Sequence, residues 1–178
     1  MKSTNKYPQL MRTFHWVMAV TILGLIACGW YMTSLDKSVS YKYDIYHWHK
    51  SFGVLVLLLL FARIVIRLLS HVPPLPETIP THEKLLSKLV HWLLYLMMFL
   101  VPASGYLMSG AAPGITVPFF NWTMPNLVEK SKELASFLHG IHVVIPYVLL
   151  GIVALHVVGA LKHRFFDKPE NDVLKRML

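Results

Sequence analysis

The sequence is poor in cysteine and in acidic residues. A single cysteine, Cys28, excludes an internal disulfide framework and a cysteine-ligated iron–sulfur cluster. Acidic residues number 9 against 17 lysines and arginines. None of them lies in the core of a long apolar segment, which excludes a di-iron carboxylate centre. With 55% hydrophobic residues and a mean hydropathy of +0.51, the chain falls in the membrane class rather than among soluble domains.

Four apolar segments dominate the chain, each close to the ~20 residues that a membrane-spanning helix requires. They cover residues 14–32, 49–69, 89–109 and 138–161, and proline- and glycine-rich connections separate them. Four spans in 178 residues leave no room for a soluble domain. We therefore predict a single all-α domain over residues 1–178, an integral membrane four-helix bundle.

The basic residues predict how this bundle is oriented. With both termini in the cytoplasm (N-in/C-in), inner segments carry twelve of the 17 lysines and arginines, as the positive-inside rule requires. The net charge of +8 then faces lipid head groups rather than nucleic acid. The twelve are Lys2, Lys6, Arg12, Arg63, Arg67, Lys84, Lys88, Lys162, Arg164, Lys168, Lys175 and Arg176.

Four of the ten histidines fall at matched depths in this topology. His15 lies at the inner end of the first span and His49 at the outer end of the second. The last span carries His142 near its outer end and His156 near its inner end. Their 14-residue separation is close to four whole turns, so both rings face the same side, about 21 Å apart. Because histidine is costly in lipid without a partner, we pair His49 with His142 and His15 with His156.

Two imidazoles opposed across a flat cofactor are the axial ligands of a haem, and bundles commonly hold cofactors between facing helices. Zinc would gather three or four ligands at one point, whereas these histidines lie at two levels. We therefore predict two haems, each held by one pair. For His47, His71, His82 and His139 the expectation is an ordinary interfacial position. His47 and His139 nevertheless lie close to His49 and His142 in the sequence, so the identity of the outer ligands stays open.

At this point the chain resembles the prokaryotic cytochrome b561 family, four-helix membrane proteins with two b-type haems. The resemblance rests on FHWVMA at 14–19, HKSFGVL at 49–55, FARIVIR at 61–67, HWLLYLMM at 91–98, SGYLMS at 104–109, and HVVGALKHRFFDK with LKRM within 156–177. It implies axial ligation by His15, His49, His142 and His156, and a bacterial inner-membrane location. It also implies electron transfer between the quinone pool and a partner outside the cytoplasm, with superoxide as donor and ubiquinone as acceptor as one such activity.

Two further residues are assigned by their spacing from these histidines. Arg63 follows His49 by 14 residues, so it lies near the inner haem, where we expect it to bind a propionate. His163 follows His156 by seven residues and lies at the inner surface. Beside Lys162 it is placed to bind a quinone carbonyl and to transfer a proton. The alternatives are contact with lipid phosphates for Arg63 and an ordinary interfacial histidine for His163.

Two other functions stay open from the sequence. A haem-containing membrane anchor for a larger dehydrogenase predicts stable co-purification with that partner. A haem-free transporter predicts a colourless protein with broken helices or acidic residues at the midplane. On the outer side, Lys42, Lys50 and Lys130 could steer an anionic partner, although nearby carboxylates favour an ordinary solvated loop.

Overall fold

A computed structural model describes residues 6–178 as four long helices, a short β-hairpin and two terminal 3₁₀ turns. All four helices are long and apolar enough to cross a membrane, so the predicted all-α membrane bundle is confirmed. Lys2, counted above for the orientation, lies outside the described residues. The elements are α1 (Gln9–Ser34), α2 (Lys42–Leu69), α3 (Thr81–Ala111), β1 (Val117–Phe119), β2 (Trp122–Met124) and α4 (Lys132–Phe165).

Each helix extends beyond the apolar segment that predicted it, by up to two turns. Apolar segments mark the hydrocarbon layer, and the polar flanks continue the helix into the head-group region. The start of α4 shows a local cause, because the side chain of Ser131 accepts a hydrogen bond from the backbone N–H of Leu134 at 3.1 Å. The hairpin lies in the connection between α3 and α4, which the turn residues predicted only as a loop.

The helices do not pack evenly around the bundle. The backbone of α3 lies closely against α4, α1 lies against α2, and α2 lies against α3. By contrast, the backbone of α4 scarcely approaches α1 or α2. Helices in direct contact have axes about 8–10 Å apart. The wider separation leaves a gap on the face of α4 that carries His142 and His156.

The bundle has two distinguishable sides. On one, which we call the termini side, the backbone N–H of Tyr7 donates to Arg176 O at 3.1 Å, and Trp16 Nε1 donates to Met177 O at 2.9 Å. On the other, the hairpin side, the backbone N–H of Phe120 donates to Ser51 Oγ at 3.0 Å. This contact fastens the hairpin turn, where Phe120 has a φ of 53°, to α2. Which side faces the cytoplasm stays a prediction.

Candidate functional site

Two pairs of half-buried histidine rings face each other across the gap beside α4. On the hairpin side the ring centres of His49 and His142 are 6.3 Å apart, and on the termini side those of His15 and His156 are 6.2 Å apart. We call them the hairpin-side pair and the termini-side pair. An imidazole nitrogen lies about 2 Å from a bound metal and roughly 1.15 Å from its ring centre, so opposed ligands of one metal have centres about 6.3 Å apart. Both pairs therefore have the spacing of axial ligands.

The ring of His142 is held in place by α3. Its Nδ1 lies 3.0 Å from Val101 O and 3.1 Å from Ser104 Oγ. Since a carbonyl only accepts, Nδ1 carries the proton, and Nε2 keeps its lone pair for a metal. Gly105 allows this approach, because a Cβ at that position would lie 2.8 Å from the Cε1 of His142. The partner ring, His49, has a buried Nδ1 with no hydrogen-bond partner among the described residues.

The termini-side pair lies next to Arg63, as the spacing predicted. The Nη2 of Arg63 lies 3.1 Å from the Nδ1 of His15, and its Nε is buried without a partner among residues 6–178. A guanidinium can only donate, so this contact puts the lone pair of His15 on Nδ1. Ligation through Nε2 instead requires a proton on Nδ1, and Arg63 then needs another acceptor. The carboxylate of a haem propionate is an acceptor of that kind.

A third imidazole lies at the termini-side level. The ring of His91 is centred 5.2 Å from that of His156, and its Nδ1 donates to Ser87 O at 2.6 Å. That separation is about 1.1 Å shorter than opposed ligation of one metal requires. The spacing therefore favours His15 over His91 as the partner of His156.

The other histidines near the hairpin side do not enter the gap. His47 and His139 are exposed, whereas His49 and His142 are half-buried and face each other. His71 and His82, expected to be interfacial, are exposed as well. Neither His47 nor His139 opposes another imidazole, so the geometry favours His49 and His142 at the crowded site.

On the termini side, His163 lies between two carboxylates that the sequence did not single out. Its Nδ1 is 2.9 Å from Asp167 Oδ2, and its Nε2 is 3.4 Å from Glu83 Oε2. Lys162 donates to both oxygens of Glu83, at 2.6 and 2.7 Å. Hydrogen bonds from His163 and from the backbone N–H of Lys168 lower the pKa of Asp167 to about 2, so this carboxylate is ionised at any physiological pH.

The basic residues around His163 are therefore neutralised rather than free. Lys162 pairs with Glu83, and Arg164 pairs with Asp172. The contact with Asp167 joins residues four positions apart where α4 ends, a spacing that the sequence shows. The contact with Glu83 had no local signal, because 79 residues separate Glu83 from Lys162.

A flat macrocycle suits both levels of the gap. Opposed imidazoles have axial spacing, Gly105 provides a close approach, and the buried donor of Arg63 is left for an acidic group. A zinc site of three or four converging ligands does not match this arrangement. The fold and the site together define a membrane-spanning four-helix protein of the haem-binding class.

Comparison with known proteins specifies the family. Residues 6–178 match the profile described as prokaryotic cytochrome b561. Cytochrome b561 homolog 2 of Escherichia coli K12 is 33% identical over 176 residues, which cover 98% of this chain and 92% of the relative. Probable superoxide oxidase CybB of Yersinia pestis is 27% identical over 178 residues, covering 97% and 96%. Cytochrome b561 homolog 1 of Escherichia coli K12 is 23% identical over 177 residues, covering 97% of each.

The chain belongs to the prokaryotic cytochrome b561 family. Membership confirms the resemblance found in the sequence and implies b-type haem and membrane electron transfer. With four spans, the chain is a multi-pass inner-membrane protein. Family membership disfavours the haem-free transporter.

Proposed function

We propose that this protein moves electrons through the membrane by way of two b-type haems, one at each histidine pair. The observation that carries the proposal is the axial ring spacing of 6.2 and 6.3 Å at both levels of the gap. The levels are 14 residues apart along α4, or about 21 Å, so together they reach most of the way across the hydrocarbon layer. When bound, haem b supplies a one-electron carrier, and ligation by two histidines leaves no open position for oxygen.

In this proposal Arg63 binds a propionate on the termini side, and the four histidines bind the two haems. His15 and His156 would ligate one iron, and His49 and His142 the other. The termini side faces the cytoplasm, as the distribution of basic residues predicts. The hairpin side then faces the partner outside the cytoplasm.

We propose ubiquinone as the electron acceptor on the termini side and superoxide as the donor on the hairpin side. A relative is named a probable superoxide oxidase, which supports this donor. Each of two superoxide ions loses one electron and becomes O₂, and ubiquinone takes up two electrons and two protons to form ubiquinol. We propose that those protons enter by way of His163, and the contact that supports this is the 3.4 Å distance between its Nε2 and Glu83 Oε2.

The experiment combines spectra with electron transfer in detergent-purified protein. Enzymatically generated superoxide should reduce the haems, superoxide dismutase should prevent this, and a soluble ubiquinone analogue should reoxidise them. The haem-to-protein ratio of the wild type should fall by about half in His142→Ala and in His156→Ala, because each variant loses one ligand pair.

The possible results test the ligands, the electron donor and the membrane-anchor alternative separately. A colourless protein, or a ratio unchanged by both substitutions, refutes the ligand assignment. Intact haems that superoxide does not reduce refute the donor alone. A stably co-purifying dehydrogenase that reduces the haems supports the membrane-anchor alternative.

A further inference from the structure

A hollow beside the hairpin-side pair is lined by α2, α3, α4 and β1, and it is polar at one end only. Its hairpin end is lined by Tyr46, Lys50 and Ser109, and its deep end by Gly53 and Pro102. The depths follow from the helix directions, since α2 runs inward from the hairpin side and α3 runs outward to it. Side chains on a helix tilt toward its N-terminus, so Lys50 leans toward the hairpin end.

Two donors at the hairpin end have no acceptor among the residues that the structure describes. Ser109 is 3% exposed, and its Oγ has no hydrogen-bond partner among residues 6–178. A buried hydroxyl without a partner destabilises the fold, so such a group is expected to have one. Lys50 is half-buried and forms no ion pair within the described part of the chain.

Two other lysines on the hairpin side are bonded to the protein itself. Lys42 Nζ donates to Leu35 O at 2.5 Å, and Lys130 Nζ donates to Ile115 O at 2.6 Å. Those contacts fasten connecting segments to the ends of the helices. Lys50 differs from them, because it lines the hollow that His49 and His142 share.

Haem b has the matching polarity, with two carboxylates on one edge and apolar groups on the opposite edge. We propose that Lys50 and Ser109 bind the carboxylates of the hairpin-side haem, which fixes the haem with its acidic edge toward the hairpin. The proposal rests on the ligand pair His49 and His142 proposed above. Lys50 supplies a charge-assisted hydrogen bond and Ser109 a neutral one. The apolar edge then lies against Gly53 and Pro102.

This arrangement has an electrostatic consequence for the haem. Reduction removes one positive charge from the iron, so a nearby cation stabilises the reduced form and raises the midpoint potential. Lys50 also offsets the carboxylate charge at the end of the hollow where an anionic donor would arrive.

The test is a redox titration of haem absorbance in the purified holoprotein. The wave of the hairpin-side haem is identified as the one that His142→Ala removes. Lys50→Met should shift this wave to lower potential and leave the other wave unchanged. Lys50→Arg, which keeps the charge, should restore it nearly to the wild-type position. Lys132→Met is the matched control, because it removes an exposed lysine from the same side of the bundle.

An unshifted wave in Lys50→Met, or an equal shift in Lys132→Met, overturns the assignment of Lys50. If Lys50→Met loses the hairpin-side haem and Lys50→Arg retains it, the loss supports the proposal. If both Lys50 variants lose the hairpin-side haem, the same titration is made on Ser109→Ala. A shifted wave or weaker haem retention in Ser109→Ala supports the proposal, and an unchanged wave overturns the proposal. If His142→Ala removes neither wave, the ligand pair itself fails, which is a separate result.

Discussion

Replacing Gly105 by alanine tests the hairpin-side pair without touching a ligand. A Cβ at this position would meet His142 at Cε1 at 2.8 Å, at Nδ1 at 3.1 Å and at Nε2 at 3.3 Å. Ordinary van der Waals contact begins at 3.4 Å, so the ring must move by about 0.6 Å. Metal-ligand distances are held to within about 0.2 Å, so this displacement is roughly three times what coordination tolerates.

The ring of His142 has little freedom to absorb that displacement. Motion away from α3 stretches its hydrogen bonds to Val101 O and Ser104 Oγ and changes the 6.3 Å separation from His49. We therefore expect Gly105→Ala to lose the hairpin-side haem or to bind it much more weakly. The assay is the haem-to-protein ratio with reduced-minus-oxidised spectra.

Gly151→Ala is the control, because a Cβ there meets nothing within 4 Å. Both substitutions favour the helix by about 1 kcal/mol through backbone propensity, so a weaker helix does not explain a loss of haem. Full haem content and unchanged spectra in Gly105→Ala would refute the reasoning.

Three further outcomes are expected. His47→Ala and His139→Ala should each keep the full haem content, because both rings are exposed; a halved ratio in either would reassign the ligand. Arg63→Gln should lower the midpoint potential of the termini-side haem in a redox titration, because the substitution removes a cation beside that site. Arg63→Lys should restore part of the lost potential. Equal potentials in the wild type and both variants contradict the assignment. Hydrogen bonds from His163 and from the backbone N–H of Lys168 lower the pKa of Asp167 from its ordinary 3.8 to about 2, so these contacts stabilise the fold above pH 3.8 and are lost as the pH falls to about 2. Thermal unfolding of Asp167→Asn should therefore differ from wild type by a constant amount near neutral pH, and the difference should vanish toward pH 2; a difference that grows with acid contradicts this.

The sequence by itself determined the spans and the depths of the histidines. Both follow from local properties, because the length of an apolar run sets a span and the helical repeat sets the register of residues 14 positions apart. His142 and His156 were therefore placed on one face before any neighbour of α4 was known. Arg63 was located by the same register from His49, and its contact with His15 agrees.

The tertiary structure decided which side chains meet. His139 and His142 are three residues apart on α4, and only the rotation of α4 against α3 turns His142 into the gap and leaves His139 exposed. The approach of Gly105 to His142 and that of Glu83 to His163 join distant parts of the chain. The hydrophobic pattern of a lipid-facing helix is too uniform to fix its rotation, because lipid and neighbouring helices are equally apolar. Packing against α3 supplies that information.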